Sequence, residues 1–376
     1  MSEKILCENF KAHPAVYAVG SDYQIIIVTE AETLMWVRVG DEEFYDESNG
    51  IIRSGKPVHK MTVPVELLNS AGGYTVCFRK VIERKPYYSE TEDITEVEYC
   101  FRPVKGDNIN IYHISDAHNK VASPVSAGGY FGDKLDLLIL NGDIPNHSGD
   151  IANFDAIHEI AGRITGGEIP TVFSRGNHDT RGIHAEDLAE YTPTDGGNSY
   201  FTFRLGELWG IVVDCGEDKD DRGIEYGNTI CCRHFRRRQT KFMESVIKNA
   251  ENEYLAEGVT KRMVVAHIPF TYTMEPPFDI EQELYAYWTR LLGENIRPDF
   301  FLCGHMHETA VWYPGGGHDS KGQTCPVIIG SDPKLGIRDK DIFIGCAIEY
   351  AAESVKVLFT DQDKNVVGQD EFSLKR

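Results

Sequence analysis

Short runs of apolar residues alternate with turn residues through the first hundred positions. Tyr23 to Glu30, Thr33 to Gly40, Lys60 to Val65, Gly73 to Glu83 and Glu96 to Val104 each read as a strand. In the last of these Val97, Tyr99 and Phe101 alternate with Glu96, Glu98 and Cys100. A period of two puts successive side chains on opposite faces, so the pattern predicts strands with one wet face. Ser48-Asn49-Gly50, Asn69 to Gly73 and Lys85-Pro86 supply the turn residues between them. A small two-sheet sandwich follows from this spacing.

Near residue 105 the pattern changes to strand, loop, helix. Ile109 to Ser115, Leu135 to Asn141, Thr171 to Arg175, Arg262 to Ala266 and Phe300 to Cys303 are short, continuously apolar runs of the kind that fill buried strands. Ile151, Phe154, Ile157, Ala161 and Ile164 recur at helical spacing, as do Phe242, Val246, Ala250 and Tyr254, and both stripes predict helices packed on a core. Pro326 to Gly330, Ile342 to Tyr350 and Ser354 to Thr360 return to strands. The 376 residues exceed what one core usually holds. The expected plan is therefore a smaller all-β domain over 1–105, fibronectin-III-like or immunoglobulin-like, followed by an α/β (α+β) domain over 106–376. In the second domain two central sheets are flanked by helices in four layers.

Composition narrows the function. A formal net charge of −21 argues against nonspecific binding to nucleic acid or an anionic membrane. The basic cluster Arg233, Arg236, Arg237 and Arg238 precedes a helical stripe and reads as the solvated start of a helix. Met1 to Cys7 contains no apolar leader core, and no stretch approaches the ~20 apolar residues of a membrane span. Nine cysteines, an odd number without framework spacing, fit a reducing compartment. The adjacent Cys231 and Cys232 are read as ordinary thiols. Cytoplasmic location is the expectation.

What the strands carry at their ends is more specific. Asp116-Ala117-His118, Gly142-Asp143, Gly176-Asn177-His178-Asp179, His267 and Gly304-His305-Met306-His307 each directly follow one of the five buried runs. Strand carboxyl ends are where loops of open α/β sheets converge on a ligand. Asp116, His118, Asp143, Asn177, His267, His305 and His307 offer carboxylate, amide oxygen and imidazole without thiolate. That mixture suits hard to borderline divalent ions such as Mn, Fe or Zn. Two ions ~3.5–4 Å apart need a shared carboxylate, and Asp143 is the natural bridge. Any one of these groups alone is more often a satisfied polar residue. Their joint order, each with an apolar run before it, is what singles them out.

These five blocks resemble those of the calcineurin-like metallophosphoesterase superfamily, which run D-x-H, G-D, G-N-H-D/E, a lone His after a strand, and G-H-x-H. The resemblance spans roughly residues 107 to 350. It implies that Asp116, His118 and His307 hold one ion, that Asn177, His267 and His305 hold a second, and that Asp143 bridges them. It implies also that His178 is not a ligand but gives a hydrogen bond or proton to the phosphoryl or leaving oxygen. In the phosphoprotein phosphatase branch an Asp three residues after the bridging Asp orients that His. Here the position is Asn146, whose amide oxygen would orient the imidazole without adding charge. The purple acid phosphatases carry D-x-G and a Tyr iron ligand at these places, where this chain has His118 and Asn146. The N-terminal region nevertheless resembles the β-sandwich that precedes the catalytic domain in that branch.

The resemblance implies hydrolysis of a small-molecule phosphomonoester or phosphodiester, by in-line attack of hydroxide held by two divalent ions. A nuclease of the same superfamily is the alternative that the negative charge opposes. A noncatalytic scaffold, with the sandwich recruiting a protein partner, is the alternative that seven intact ligands oppose. Specificity is expected in the excursion between His178 and His267, where Arg181, His184, Asn198, Asp218 and Arg222 stand. Arg181 is placed either to reach a phosphate oxygen as a substrate-binding residue or to form a surface salt bridge.

Overall fold

The alternation in the first hundred residues does produce strands. The structure, a computed structural model, describes residues 5–46, 54–335 and 341–374. Its first strands are β1 (Ala15–Val19), β2 (Asp22–Val28), β3 (Thr33–Val39), β4 (Glu42–Tyr45), β5 (Val58–Pro64), β6 (Gly73–Arg84), β7 (Ser89–Thr91) and β8 (Thr95–Cys100), with helix α1 (Val65–Ala71) before β6. The predicted turn at Ser48-Asn49-Gly50 lies outside the described residues. The one at Asn69 to Gly73 begins inside α1, which ends where Gly72 takes a left-handed φ of 65° and returns its N–H to Leu68 O. Only glycine adopts that conformation without strain.

Beyond residue 105 follow β9 (Ile109–Ile114), α2 (Ala122–Gly128), β10 (Leu137–Asn141), α3 (Asp155–Thr165), β11 (Pro170–Ser174), α4 (Leu188–Tyr191), β12 (Phe201–Leu205) and β13 (Leu208–Val213). Then come α5 (Cys232–Lys248), β14 (Lys261–Ala266), α6 (Gln282–Asn295), β15 (Phe300–Cys303), β16 (Glu308–Trp312), β17 (Val327–Ser331), β18 (Ile344–Tyr350), β19 (Ser354–Asp361) and β20 (Val366–Ser373).

Three sheets result. A nine-stranded sheet runs β20-β19-β18-β9-β10-β11-β1-β2-β5, a six-stranded sheet runs β12-β13-β14-β15-β17-β16, and a five-stranded sheet runs β4-β3-β6-β7 with β8 also on β6. Alternate residues of the large sheet enter different cores. Ile109, Ile111, Leu137 and Ile139 face the inner core, where Val265, Phe300 and Leu302 of the six-stranded sheet meet them. Tyr112, Ile114, Leu138 and Leu140 face outward, against Ile157, Ile160 and Ile164 of α3. On the far side Val264, Ala266 and Phe301 are covered by Met243 of α5 and by Trp288 and Leu292 of α6. Helix, sheet, sheet and helix form the four expected layers, and a one-residue slip in either sheet would invert them.

The N-terminal strands form their own two-layer unit by the same device. Val16, Tyr23, Ile25, Ile27, Met61 and Val63 of β1, β2 and β5 pack against Met35, Val37, Val76 and Phe78 of the five-stranded sheet. The first of these layers is continuous with the large sheet, because β1 pairs in parallel with β11 through Val16↔Pro170 and Tyr17↔Thr171. Sequence patterning did not mark β1, a fully buried five-residue strand with no alternation. The arginine cluster also departs from expectation: Arg236 is 1% exposed rather than solvated. Its Nε donates to Cys215 O at 2.7 Å and its Nη2 to Glu217 O, two main-chain carbonyls of the loop after β13, while its Nη1 pairs with Glu281 Oε1 at 3.4 Å.

Candidate metal centre

Both inner sheets send parallel strand ends to one edge. β9, β10 and β11 are neighbours in parallel register, and so are β14 and β15. Asn141 joins the two sheets there. Its amide donates to Ala266 O at 3.3 Å and Leu302 O at 3.1 Å, and its carbonyl receives His267 Nδ1 at 2.7 Å. The last contact fixes the tautomer, since a carbonyl only accepts: Nδ1 carries the proton and Nε2 is aimed at the carboxylates.

Five of the seven sequence-predicted ligands, Asp116, His118, Asp143, His305 and His307, lie at positive φ, between 46° and 68°. Such backbone costs of order 1–3 kcal/mol per residue and persists where the surroundings impose it. The glycines of two motifs explain how. A Cβ on Gly176 would sit 2.2 Å from Asp143 Oδ1, and one on Gly304 would sit 1.7 Å from Ser115 Oγ and 2.8 Å from Asp116 Oδ2. Backbone fills that space so that the carboxylates can approach. Gly304→Ala is expected to weaken metal affinity roughly 10–100-fold by displacing Asp116, with circular dichroism unchanged; unaltered metal content would contradict this.

All seven predicted ligands are brought together. Asp116, His118 and His307 form one group, and Asp143, His267 and His305 another, with ligand atoms in each within 4.8 Å of one another. Asp143 also groups with His118 and His178, which places it between the two sets. His307 Nε2 is 3.3 Å from Asp116 Oδ1 and 3.1 Å from His118 Nε2. His267 Nε2 is 3.2 Å from Asp143 Oδ2 and 3.8 Å from Asp116 Oδ1. Asn177 Oδ1 faces His305 Nδ1 at 3.0 Å. Asp116 Oδ1 and His267 Nε2 are buried with no hydrogen-bond partner. Buried polar atoms seldom remain so, and a divalent cation satisfies this oxygen and nitrogen set.

The electrostatics agree. Burial opposes the charged form of Asp143, but the His267 imidazolium beside it wins and holds the carboxyl below its usual range. Burial likewise pushes His267 down, while Asp143 and Asp116 outweigh it and lift its pKa to about 10. His267 therefore carries an extra proton at neutral pH before metal binds, and a cation must displace it. Loading metal near pH 7 is expected to release about one proton per chain from this residue. Calorimetry in buffers of different ionisation enthalpy reads that number, and no proton release would contradict the pairing.

His178 stands beside the cluster. Its Nε2 is 4.0 Å from Asp143 Oδ2, its main-chain N–H donates to Asp143 Oδ1 at 2.8 Å, and its Nδ1 faces Asn146 O at 2.7 Å. The orienting oxygen is thus the main-chain carbonyl of Asn146 and not the side-chain amide that the sequence suggested. Of the two alternatives for Arg181 the structure shows an ion pair, with buried carboxylates rather than on the surface: its guanidinium is paired with Glu217 and Asp218, and its Nη1 lies 3.1 Å from His178 Nε2. Asp218 reaches the site as well, 3.5 Å from Asn177 Nδ2. His184 pairs with Asp187, Asn198 closes a turn on Asp195, and Arg222 pairs with Asp220 in solvent.

Two groups were given no role from the sequence. Asp179 Oδ2 accepts the N–H of Gly176 at 2.6 Å and of Asp143 at 3.3 Å, which locks the G-D loop to the G-N-H-D loop. Burial, with Asp143 nearby, raises its pKa to about 7. Its motif position was visible and could have marked it. Glu217, the buried partner of Arg181, follows no motif.

The profile of the family described as calcineurin-like phosphoesterase matches residues 109–309, more than half the chain. The chain belongs to that family and is by class a metallophosphoesterase, a phosphoester hydrolase that uses divalent metal. No curated protein matches it in sequence. Among solved structures it is similar to purple acid phosphatase PPD1 from seeds of yellow lupin (Lupinus luteus), with TM-score 0.59, 11% identity, and coverage of 96% of this chain and 74% of that one. It is also similar to PhoD, with TM-score 0.55, 10% identity, and coverage of 98% and 90%. At these identities the likeness is one of fold. No helix among the described residues is long and apolar enough to cross a membrane.

Proposed function

We propose that the protein hydrolyses a phosphomonoester or phosphodiester of a small molecule with two divalent cations. The observation that carries this is the place of Asp143 between two groups of nitrogen and oxygen ligands. Asp116, His118 and His307 would hold one ion, Asn177, His267 and His305 the other, and Asp143 both. Bound there, the cations would supply Lewis acidity and bring the pKa of water to ~7. The protein's own part is positional. Asn141 and Asp179 fix the loops, and His178, anchored through Nδ1, presents Nε2 at the rim, where it can exchange a hydrogen bond or proton with a phosphoryl or leaving oxygen.

Water is the nucleophile in this reading. Ser115 Oγ, the hydroxyl that touches a ligand, is buried and donates to Asp116. Single turnover with a chiral phosphorothioate is expected to invert configuration at phosphorus, and retention or a trapped phosphoenzyme would refute it. The net charge of −21 favours a small substrate over nucleic acid. The nine free thiols support a cytoplasmic location. Metal analysis of the purified protein followed by turnover on a panel of mono- and diesters tests the whole reading; ions bound without turnover on any ester would favour a scaffold.

A further inference from the structure

Arg181 is fixed on one side and open on the other. Its Nε donates to Glu217 Oε1 and Oε2 at 3.1 and 3.0 Å, and its Nη2 donates to Glu217 Oε2 at 2.8 Å and to Asp218 Oδ1 at 2.9 Å. A guanidinium has five N–H donors. The three on Nε and Nη2 are engaged, while the two on Nη1 face His178 Nε2 at 3.1 Å and the rim of the ligand cluster.

The carboxylate that does the holding is itself held. Glu217 is 1% exposed and also accepts from Thr180 Oγ1 at 2.9 Å and Tyr226 OH at 3.0 Å. Tyr226 OH lies 3.2 Å from Asp218 Oδ1, and the buried Arg236 grips the Glu217 carbonyl from behind. Asp218 in turn lies 3.5 Å from the amide nitrogen of Asn177, which turns Asn177 Oδ1 toward His305 Nδ1 and the ligand cluster. A buried ion pair that only joined two loops would have no need to leave the outer face of the guanidinium turned to the cluster.

We propose that Glu217 is the positioning residue for Arg181, aiming Nη1 at the place where a nonbridging oxygen of the phosphoryl group sits, and that Asp218 ties this clamp to the metal ligand Asn177. The proposal rests on the phosphoesterase reading for its substrate, but its contacts are testable with inorganic phosphate alone. When phosphate arrives, Nη1 exchanges His178 Nε2 for a phosphate oxygen, which leaves the imidazole free.

The experiment compares metal-loaded wild type, Arg181→Ala, Glu217→Gln, the double variant and Tyr226→Phe. Phosphate binding is read by calorimetry, and KM and kcat are read on whichever ester the wild type accepts. Glu217→Gln keeps the volume and loses the charge, and Tyr226→Phe removes only a hydroxyl, so at least one variant folds. Arg181→Ala and Glu217→Gln are each expected to weaken phosphate binding and raise KM by roughly 10–100-fold, the scale of an ångström of misplacement. Metal content stays unchanged and kcat moves less than KM. The double variant is expected to lose no more than Arg181→Ala, because Glu217 acts through the arginine. Wild-type phosphate affinity in Arg181→Ala, losses that add in the double variant, or no phosphate binding by the loaded wild type overturns it. Phosphate binding that depends on both residues, in a protein that turns over no ester, upholds the clamp and defeats the esterase reading.

Discussion

Asp143→Ala is expected to empty both metal positions at once. Its carboxylate is 1% exposed and lies beside members of both candidate ligand sets, so in the proposed two-ion arrangement it offsets the repulsion of the cations. Elemental analysis should show both ions reduced, and turnover should fall by at least ~10³-fold, since one lost electrostatic group alone costs ~10²–10³. Metal also bears on stability. Asp116, Asp143 and Asp179 are all buried in one neighbourhood, and cations relieve their mutual repulsion. A chelator should therefore lower the melting temperature of the wild type and leave that of Asp143→Ala almost unmoved. One tightly held ion per chain, unchanged in the variant, would contradict the shared role.

His178→Ala should do the opposite: keep both ions and lose ~10²–10⁴ in rate, the usual cost of removing an acid, base or electrostatic donor. In the proposed arrangement its neighbour Asn177 takes the coordinating place, and Nε2 stands 4.0 Å from Asp143 Oδ2, at the rim. The loss should shrink for aryl phosphates if His178 protonates the departing oxygen, because a good leaving group needs less help. Since the main-chain carbonyl of Asn146 anchors the imidazole, Asn146→Ala should retain nearly full rate. Loss of metal together with activity in His178→Ala would move this residue among the ligands.

The cluster of candidate ligands was legible because each sits in a short motif whose order reports strand, turn and donor at once. The layers were legible too, since period-two runs and buried runs alternate with helical stripes. What escaped depends on contacts between distant segments. The buried run of β1 finds its parallel partner β11 about 150 residues away, and nothing local announces such a pairing. Glu217 and Arg236 are acidic and basic residues in polar stretches, the usual mark of a solvated surface, until tertiary packing encloses them. Asn146 misled for another reason: a side-chain identity was compared where the chain uses a carbonyl that any residue supplies.

The parallel join of β1 to β11 makes the first hundred residues a cover for one side of the strand that leads to the metal cluster. β11 leads directly into Gly176 and Asn177, and β1, β2 and β5 cap its open side. A chain starting at residue 106 would keep β11 paired with β10 but would strip its other side, where β1 meets Pro170 and Thr171, and so expose a buried apolar strand as a sheet edge, a template for edge-to-edge association. Removing the sandwich would thus cost solubility. Insertions or fusions should be far better borne at the exposed tip between β6 and β7, where Tyr87 is 99% exposed, than at the sequence boundary near residue 105.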